Sequence, residues 1–311
     1  MTLVDLAKHF SDEDKAREFL EKQRWPEGAV CPHCGLIGEA YRLKPTSNGK
    51  THVRKGLWKC SGCRKEFTVT VGTIFEGSHS PLHKWLMAYH LLCASKKGMS
   101  AHQLHRMLGV TYKSAWFMAH RIRYTMSQEP LSSKLKGTVE VDETYVGGKV
   151  KGKGCYVARK NKAPVVALIE RNGRARSFHF EHVTAKNLRP VMKEQIDGSA
   201  DLMTDDSGLY RGMRKHFGSH HVVRHANGEY SKRVGGKRVH TNTVEGFFSI
   251  LKRGIIGTYH HVGKQHLHRY LNEFDFRYNS RDTSDGERAL LAIKGTTGKR
   301  LMYRDSCRKG R

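Results

Sequence analysis

Cys31 and Cys34 are separated by two residues, as are Cys60 and Cys63, and 25 residues lie between the two pairs. Each CxxC turn can aim two thiolates at one ion, so two such turns complete a tetrahedral four-cysteine zinc site. Four protein ligands leave no open position for a substrate, and the expected Zn²⁺ is therefore structural. A redox dithiol would need only one pair in a βαβ setting. Cys93, Cys155 and Cys307 lack a partner at ligand spacing and are read as core or incidental residues. The odd total of seven cysteines also argues against a disulfide framework.

A second set of candidates is acidic. In GTVEVDETYVGG, Val139 and Val141 alternate with Glu140 and Asp142, so the spacing predicts a strand with both acids on one face. An acid inside a buried strand is costly unless it meets a metal or a cation. Asp205 follows the apolar run ADLM, at the strand end where open α/β sheets place their ligands. Glu245 precedes Phe247, Phe248, Ile250 and Leu251 on an expected helix, and Lys252 lies two turns further along the same face. Each acid also has a plainer reading: a strand-edge solubiliser at Asp142, a helix cap at Asp205, a solvated helix acid at Glu245. Placed together they suit two-metal phosphoryl transfer. Glu143 is expected to face away from Asp142, and both Glu143 and Asp206 rank below the trio.

These residues need elements to position them. Residues 3–24 read as two short helices, the second opened by Ser11 and closed by Trp25-Pro26, and AYRL, GLWKC and EFTVTVGTIF read as ribbon strands. Helical spacing in KWLMAYHLLCA resumes in AHQLHRML and, past Gly109, in TYKSAWFMAHRIRYTM, a plausible helix-turn-helix or a plain helical hairpin. Strands are expected at GTVEVDETYVGG, APVVALIE, RARSFHFE, ADLMTD and HHVVRH, with helices at TAKNLRPVMKEQI, SGLYRGMRKHF and TVEGFFSILKR. That order, three strands, helix, strand, helix, strand, helix, is the order of an RNase H-like α/β fold. The expected division is a helical lead-in and zinc ribbon over 1–78, a helix-turn-helix region over 79–130, a catalytic mixed sheet flanked by helices over 131–281, and a basic tail over 282–311.

Charge narrows the partner. Against 29 Asp and Glu stand 56 Lys and Arg, a formal charge of +27, which favours a polyanion. No apolar run approaches the ~20 residues of a membrane span, and the opening residues lack a signal-peptide core. The expected location is the cytoplasm, at the nucleoid. DNA candidates are Lys113, Arg121 and Arg123 on the helix from Thr111, Lys149, Lys151 and Lys153 in a glycine-rich loop that could equally be a hairpin tip, and Arg253 beside Lys252. Gly147-x4-Gly152-Lys153 falls short of a phosphate-binding loop because Gly154 stands where the magnesium-holding hydroxyl belongs. The histidines at 260, 261, 266 and 268 show no ligand logic.

The strings VDETYVGGK, TDDSGLY and HTNTVEGFFSILKRGIIGTYHHVGKQHLHRYLNEFDFRYN resemble those of bacterial insertion-sequence transposases that place a zinc ribbon before a DDE domain, over Cys31 to Asn279. The resemblance implies catalytic roles for Asp142, Asp205, Glu245 and Lys252, and Glu245 stands where some relatives have Asn. It implies two Mg²⁺ ions, or Mn²⁺, on the three acids. It further implies binding of terminal inverted repeats and target DNA, cleavage followed by strand transfer, and a homodimer or higher oligomer on DNA. TDDSG departs from the single Asp-Gly of many relatives, which leaves Asp206 a minor rival to Asp205. Alternatives sharing these residues are a DNA-binding regulator without catalysis and a nuclease or resolvase that cuts without joining.

Overall fold

The structure, a computed structural model, describes residues 10, 12–44, 53–127, 133–147 and 162–307. Two compact units emerge: Met1–Met126 with Thr283–Lys309, and Ser127–Asp282.

In the first unit, helix α1 spans Glu13–Arg24. Its cap is Asp12, whose carboxylate accepts the Asp14 N–H at 3.1 Å, and not Ser11 as the spacing suggested. Acids in the first turn and bases in the last suit the helix dipole. Three short strands, β1 (Ala40–Arg42), β2 (Trp58–Cys60) and β3 (Glu66–Phe67), form an antiparallel ribbon. The run EFTVTVGTIF is strand for only its first two residues; turns follow, and they bury Val69, Ile74 and Phe75.

Helix α2 (Leu82–Ala94) is apolar nearly all round and is buried accordingly. Helix α3 (Ala101–Leu108) starts on Ser100, whose hydroxyl accepts the Gln103 N–H, and stops at Gly109, whose φ of +58° is a left-handed cap. Helix α4 (Tyr112–Thr125) begins at once on the Thr111 cap, so α3 and α4 form the helix-turn-helix.

In the second unit a five-stranded sheet runs β6-β5-β4-β7-β8, built from β4 (Thr138–Val146), β5 (Ala163–Glu170), β6 (Ala175–His179), β7 (Asp201–Asp205) and β8 (Ser219–Val223). The first three strands pair antiparallel, and β4–β7 and β7–β8 pair parallel. This is the 3-2-1-4-5 order of an RNase H-like sheet. Helix α5 (Ala185–Gln195) covers one face through Leu188 and Met192, four residues and so one turn apart, against Val139, Val141, Val166 and Leu168. The expected helix SGLYRGMRKHF is two single 3₁₀ turns, Gly208–Tyr210 and Met213–Lys215, split at Gly212. Gly212 has φ +80°, which interrupts helical geometry, while Tyr210, Met213 and Phe217 still reach the core.

A hairpin that the sequence reading did not foresee follows: β9 (Ser231–Val234) and β10 (Lys237–His240) join through Gly235-Gly236, both at positive φ. Helix α6 (Asn242–Gly254) and α7 (Lys264–Asn279) cover the other sheet face with Val244, Phe247, Phe248, Leu251, Leu267 and Phe274. Ile250 on α6 is 41% exposed.

Residues 282–311, read as a basic tail, contain α8 (Asp285–Lys294) and α9 (Tyr303–Cys307) within the first unit. Ser284 and Glu287 make a capping box at the start of α8. Arg288 donates to the Cys93 carbonyl at 3.0 Å, anchoring α8 on α2. At Gly295 any Cβ would fall 2.6 Å from the Thr125 carbonyl, so only glycine permits this approach.

Candidate active site and metal centre

The four cysteines converge in the first unit. Their sulfurs all lie within 4.8 Å of one another, with Cys31–Cys63 and Cys34–Cys60 each at 3.6 Å. A tetrahedron of thiolates about 2.3 Å from zinc has edges of about 3.8 Å, so the spacing fits the ion. The ribbon register supplies the geometry: Ala40 pairs with Cys60, and the Cys31 N–H bonds to the Leu36 carbonyl. Burial opposes ionisation of Cys31, but the His33 and Cys34 N–H groups and the adjoining thiols bring it down to about 7, while Cys34 is pushed up to about 11. Without a cation the cluster cannot hold all its thiols ionised; a zinc ion stabilises four thiolates together.

In the second unit, Glu140 and Asp142 share a face of β4, the face covered by α6. Their fates differ. Glu140 is fully buried and its two oxygens accept four donors: Arg171 Nε at 2.6 Å, Thr243 Oγ1 at 2.9 Å, and the N–H groups of Thr243 and Val244 at 2.8 and 3.1 Å. That saturates a carboxylate. Glu140 therefore caps α6, where a negative charge also meets the helix dipole favourably. Arg171 extends the tie by donating to the carbonyls of Arg238 and His240.

Asp142 keeps one oxygen on the Glu143 N–H at 2.8 Å. On the neighbouring parallel strand Glu140 pairs with Met203, and the same register continued by two places sets Asp142 level with Asp205. Burial first, then the carboxylates of Glu143, Asp205 and Glu245, push Asp142 up to about 7, against the pull of the Glu143 N–H. Asp205 is likewise raised, chiefly by burial, with Asp206 adding to it. Its Oδ1 accepts the Ser207 N–H, but the cap of the following turn is Ser207 itself, whose hydroxyl accepts the Leu209 N–H. Glu245 sits in the first turn of α6, its Oε1 accepting from Thr241 at 2.8 Å and lying 3.5 Å from His225 Nε2. Among the described residues the second oxygen of Asp142, Asp205 and Glu245 accepts no hydrogen bond. Three half-tethered carboxylates, with Asp142 and Asp205 raised, form a donor set that fits divalent cations.

The neighbouring acids are placed elsewhere. Glu143 accepts the Tyr210 hydroxyl at 2.7 Å on the opposite sheet face, and Asp206 is exposed beyond the strand end. Lys252 and Arg253 are both exposed on α6, Arg253 bonding back to Ser249. Lys113 is exposed in the first turn of α4, its ammonium 4.6 Å from the Tyr303 ring centre. Arg121 and Arg123 are corrections to the sequence reading. They are 7% and 2% exposed, and Arg121 is used internally, donating to the carbonyls of Ile74 and Leu301 and stacking 4.4 Å from Phe117. A buried guanidinium satisfied by carbonyls cannot reach a phosphate. On α4 the exposed residues are Tyr112 and Lys113, in its N-terminal turn. Lys149, Lys151 and Lys153 lie outside the described residues, as does Cys155.

Sequence reasoning missed His225, Thr241, Arg171 and the hairpin. Only the hairpin carried a local signal, the Gly-Gly pair between SKRV and KRVH.

An RNase H-like α/β unit joined to a four-cysteine ribbon is the class that this fold and these sites define. A family model described as a transposase zinc-ribbon domain matches residues 11–66, and one described as an ISXO2-like transposase domain matches residues 134–279. The chain thus carries, in order, the zinc-ribbon and DDE-type domains of insertion-sequence transposases. It is also similar to an uncharacterized protein in transposable element ISH50 of Halobacterium salinarum, 27% identical over 295 residues that cover 87% of this chain and 92% of that protein.

Proposed function

We propose that this transposase cuts DNA at the ends of its element and joins the freed 3′ ends to target DNA, using Asp142, Asp205 and Glu245 as ligands for two Mg²⁺ ions, with Mn²⁺ able to replace them. The observation that supports this reading is that Asp142 and Asp205 each lie two residues past the Glu140–Met203 pair of β4 and β7, and that the charges of both Asp205 and Glu245 act on the buried Asp142. Bound Mg²⁺ supplies Lewis acidity at the phosphate and a water or 3′-hydroxyl of lowered pKa. Asp142, on the central strand, would hold the ions together with Asp205 and Glu245. Thr241 and His225 orient Glu245, and Glu140 fixes the helix turn from which it projects. Lys252 and Arg253 contact phosphates near the scissile bond. Tyr112 and Lys113 at the start of α4 read the terminal inverted repeats, with the ribbon assisting.

The protein acts as a homodimer or higher oligomer on DNA, in the cytoplasm at the nucleoid. Among the described residues no helix is long and apolar enough to cross a membrane.

Incubation of the protein with element-end DNA, a target plasmid and Mg²⁺, followed by sequencing of junctions, tests the reading. Element–target junctions are expected. Cut ends without junctions would make it a nuclease of the same fold, and binding without cuts would make it a regulator.

A further inference from the structure

The β9–β10 hairpin carries four cations, Lys232, Arg233, Lys237 and Arg238, in ten residues. Two of them are neutralised: Lys232 pairs with Glu229 at 2.8 Å and Lys237 with Asp201 at 2.5 Å. Arg233 and Arg238 are different. They stand directly opposite each other across the ribbon, both exposed, and neither has a carboxylate partner among the described residues. Like charges opposite one another destabilise a strand pair. Arg238 has only a 3.5 Å approach to Ser231 Oγ of its own hairpin.

The two faces of the ribbon are distinct. Val239 is fully buried against Met203 and Val223 and roots the hairpin on the edge of β7 and β8, sharing its face with Lys232 and Lys237. Arg233 and Arg238 alternate onto the other face, which they share with His240, and His240 Nδ1 lies 3.1 Å from Glu140 Oε1. That is the sheet face of Asp142. Arg171 fixes the rise of the ribbon by holding the carbonyls of Arg238 and His240 while it pairs with Glu140. The arm thus carries two unneutralised guanidiniums, with Arg238 seven residues ahead of Glu245 in the chain.

We propose that the Ser231–His240 hairpin is a DNA-backbone arm, with Arg233 and Arg238 jointly gripping a phosphate of the DNA that feeds the carboxylate site. The inference rests on the DNA transposase reading above. A phosphate relieves the repulsion of the two arginines and accepts bidentate hydrogen bonds from each fork. Because the contact is to backbone, it adds affinity and register without sequence preference.

The test is fluorescence anisotropy of the full chain with a random-sequence 30-base-pair duplex in EDTA, across a salt series. Arg233→Ala/Arg238→Ala is expected to weaken binding several-fold and to flatten the slope of log K against log salt by about 1 to 2. Lys186→Ala/Lys193→Ala removes equal charge from exposed sites on α5, on the other sheet face, and should leave the slope nearly unchanged. Thermal melting separates binding from folding: the double-alanine variant should melt no lower than the wild type, since it relieves a like-charge pair. Wild-type affinity and slope in that variant would overturn the arm. So would weak binding that comes with a lowered melting point and is shared by Arg233→Lys/Arg238→Lys, because that pattern marks a structural role. If the wild type binds no duplex at low salt, the DNA reading itself fails, and the arm fails with it.

Discussion

The carboxylate of Glu140 accepts the backbone N–H of Val244 at 3.1 Å, so the central strand grips the helix turn that bears Glu245. Two acids two residues apart on one strand thereby divide their work. Glu140 fixes the distance between sheet and helix, while Asp142 has only the Glu143 N–H as a hydrogen-bond donor among the described residues.

Glu140→Ala should destabilise the protein by about 3–5 kcal/mol, the cost of breaking a buried ion pair and leaving its partner unmatched. Here that partner is Arg171, and the N–H groups of Thr243 and Val244 are also left without an acceptor. Urea unfolding measures it. A change below about 1 kcal/mol would show that the network is dispensable.

Asp142→Asn, Asp205→Asn and Glu245→Gln should each cut nicking and joining by orders of magnitude while sparing DNA affinity, because carboxylates repel phosphate unless a cation intervenes. Losses in the trio should not add, since residues that hold one metal pair act as a unit. Glu143→Gln keeps an acceptor for Tyr210, and Asp206→Asn changes an exposed side chain, so both should retain most activity. Full activity in Glu245→Gln would remove Glu245 from the ligand set.

The purified protein should carry one zinc per chain, lost when Cys31, Cys34, Cys60 and Cys63 are all changed to Ser. Elemental analysis reads this directly. Cys60→Ser alone should loosen the ribbon and lower DNA affinity, and stoichiometric zinc in the quadruple variant would refute the site.

Asp275 gives a pH dependence away from the carboxylate cluster. Enclosure between α7 and β6 pushes its carboxyl up to about 7, despite the Ser177 N–H and hydroxyl that it accepts at 2.8 and 2.7 Å. The folded state then holds this proton more tightly than the unfolded chain, where a carboxyl titrates near 3.9. Its stabilising contribution is complete below about pH 4 and disappears as pH rises through about 7. Asp275→Asn cannot ionise, so its melting temperature relative to wild type should climb between about pH 5 and about pH 8. A constant difference across that range would show that Asp275 does not titrate there.

The cysteine spacing and the strand order were legible because both are local patterns: two CxxC turns, and alternation that switches period. Glu140 was legible only as a face-mate of Asp142, since its partners Arg171, Thr243 and Val244 lie 31 to 104 residues away. Arg121 and Arg123 misled because a basic aromatic helix looks the same whether its guanidiniums face water or the protein interior. The SGLYRGMRKHF segment misled for another reason. Its apolar spacing serves the core from 3₁₀ turns as well as from a helix, and the break at Gly212 costs no buried contact.

Arg121 reaches the carbonyl of Leu301, 180 residues along the chain, and Arg288 reaches that of Cys93. Topologically, the sheet unit is an insertion into the unit that carries the ribbon and the helix-turn-helix. On the ribosome the first unit cannot close until residue 301 has emerged, by which time every residue of the carboxylate site has been synthesised. A chain stopped at residue 282 should leave α2 uncovered and protease-sensitive, as limited proteolysis would reveal. Broken copies of the gene that end within the sheet unit should then yield no well-folded first unit.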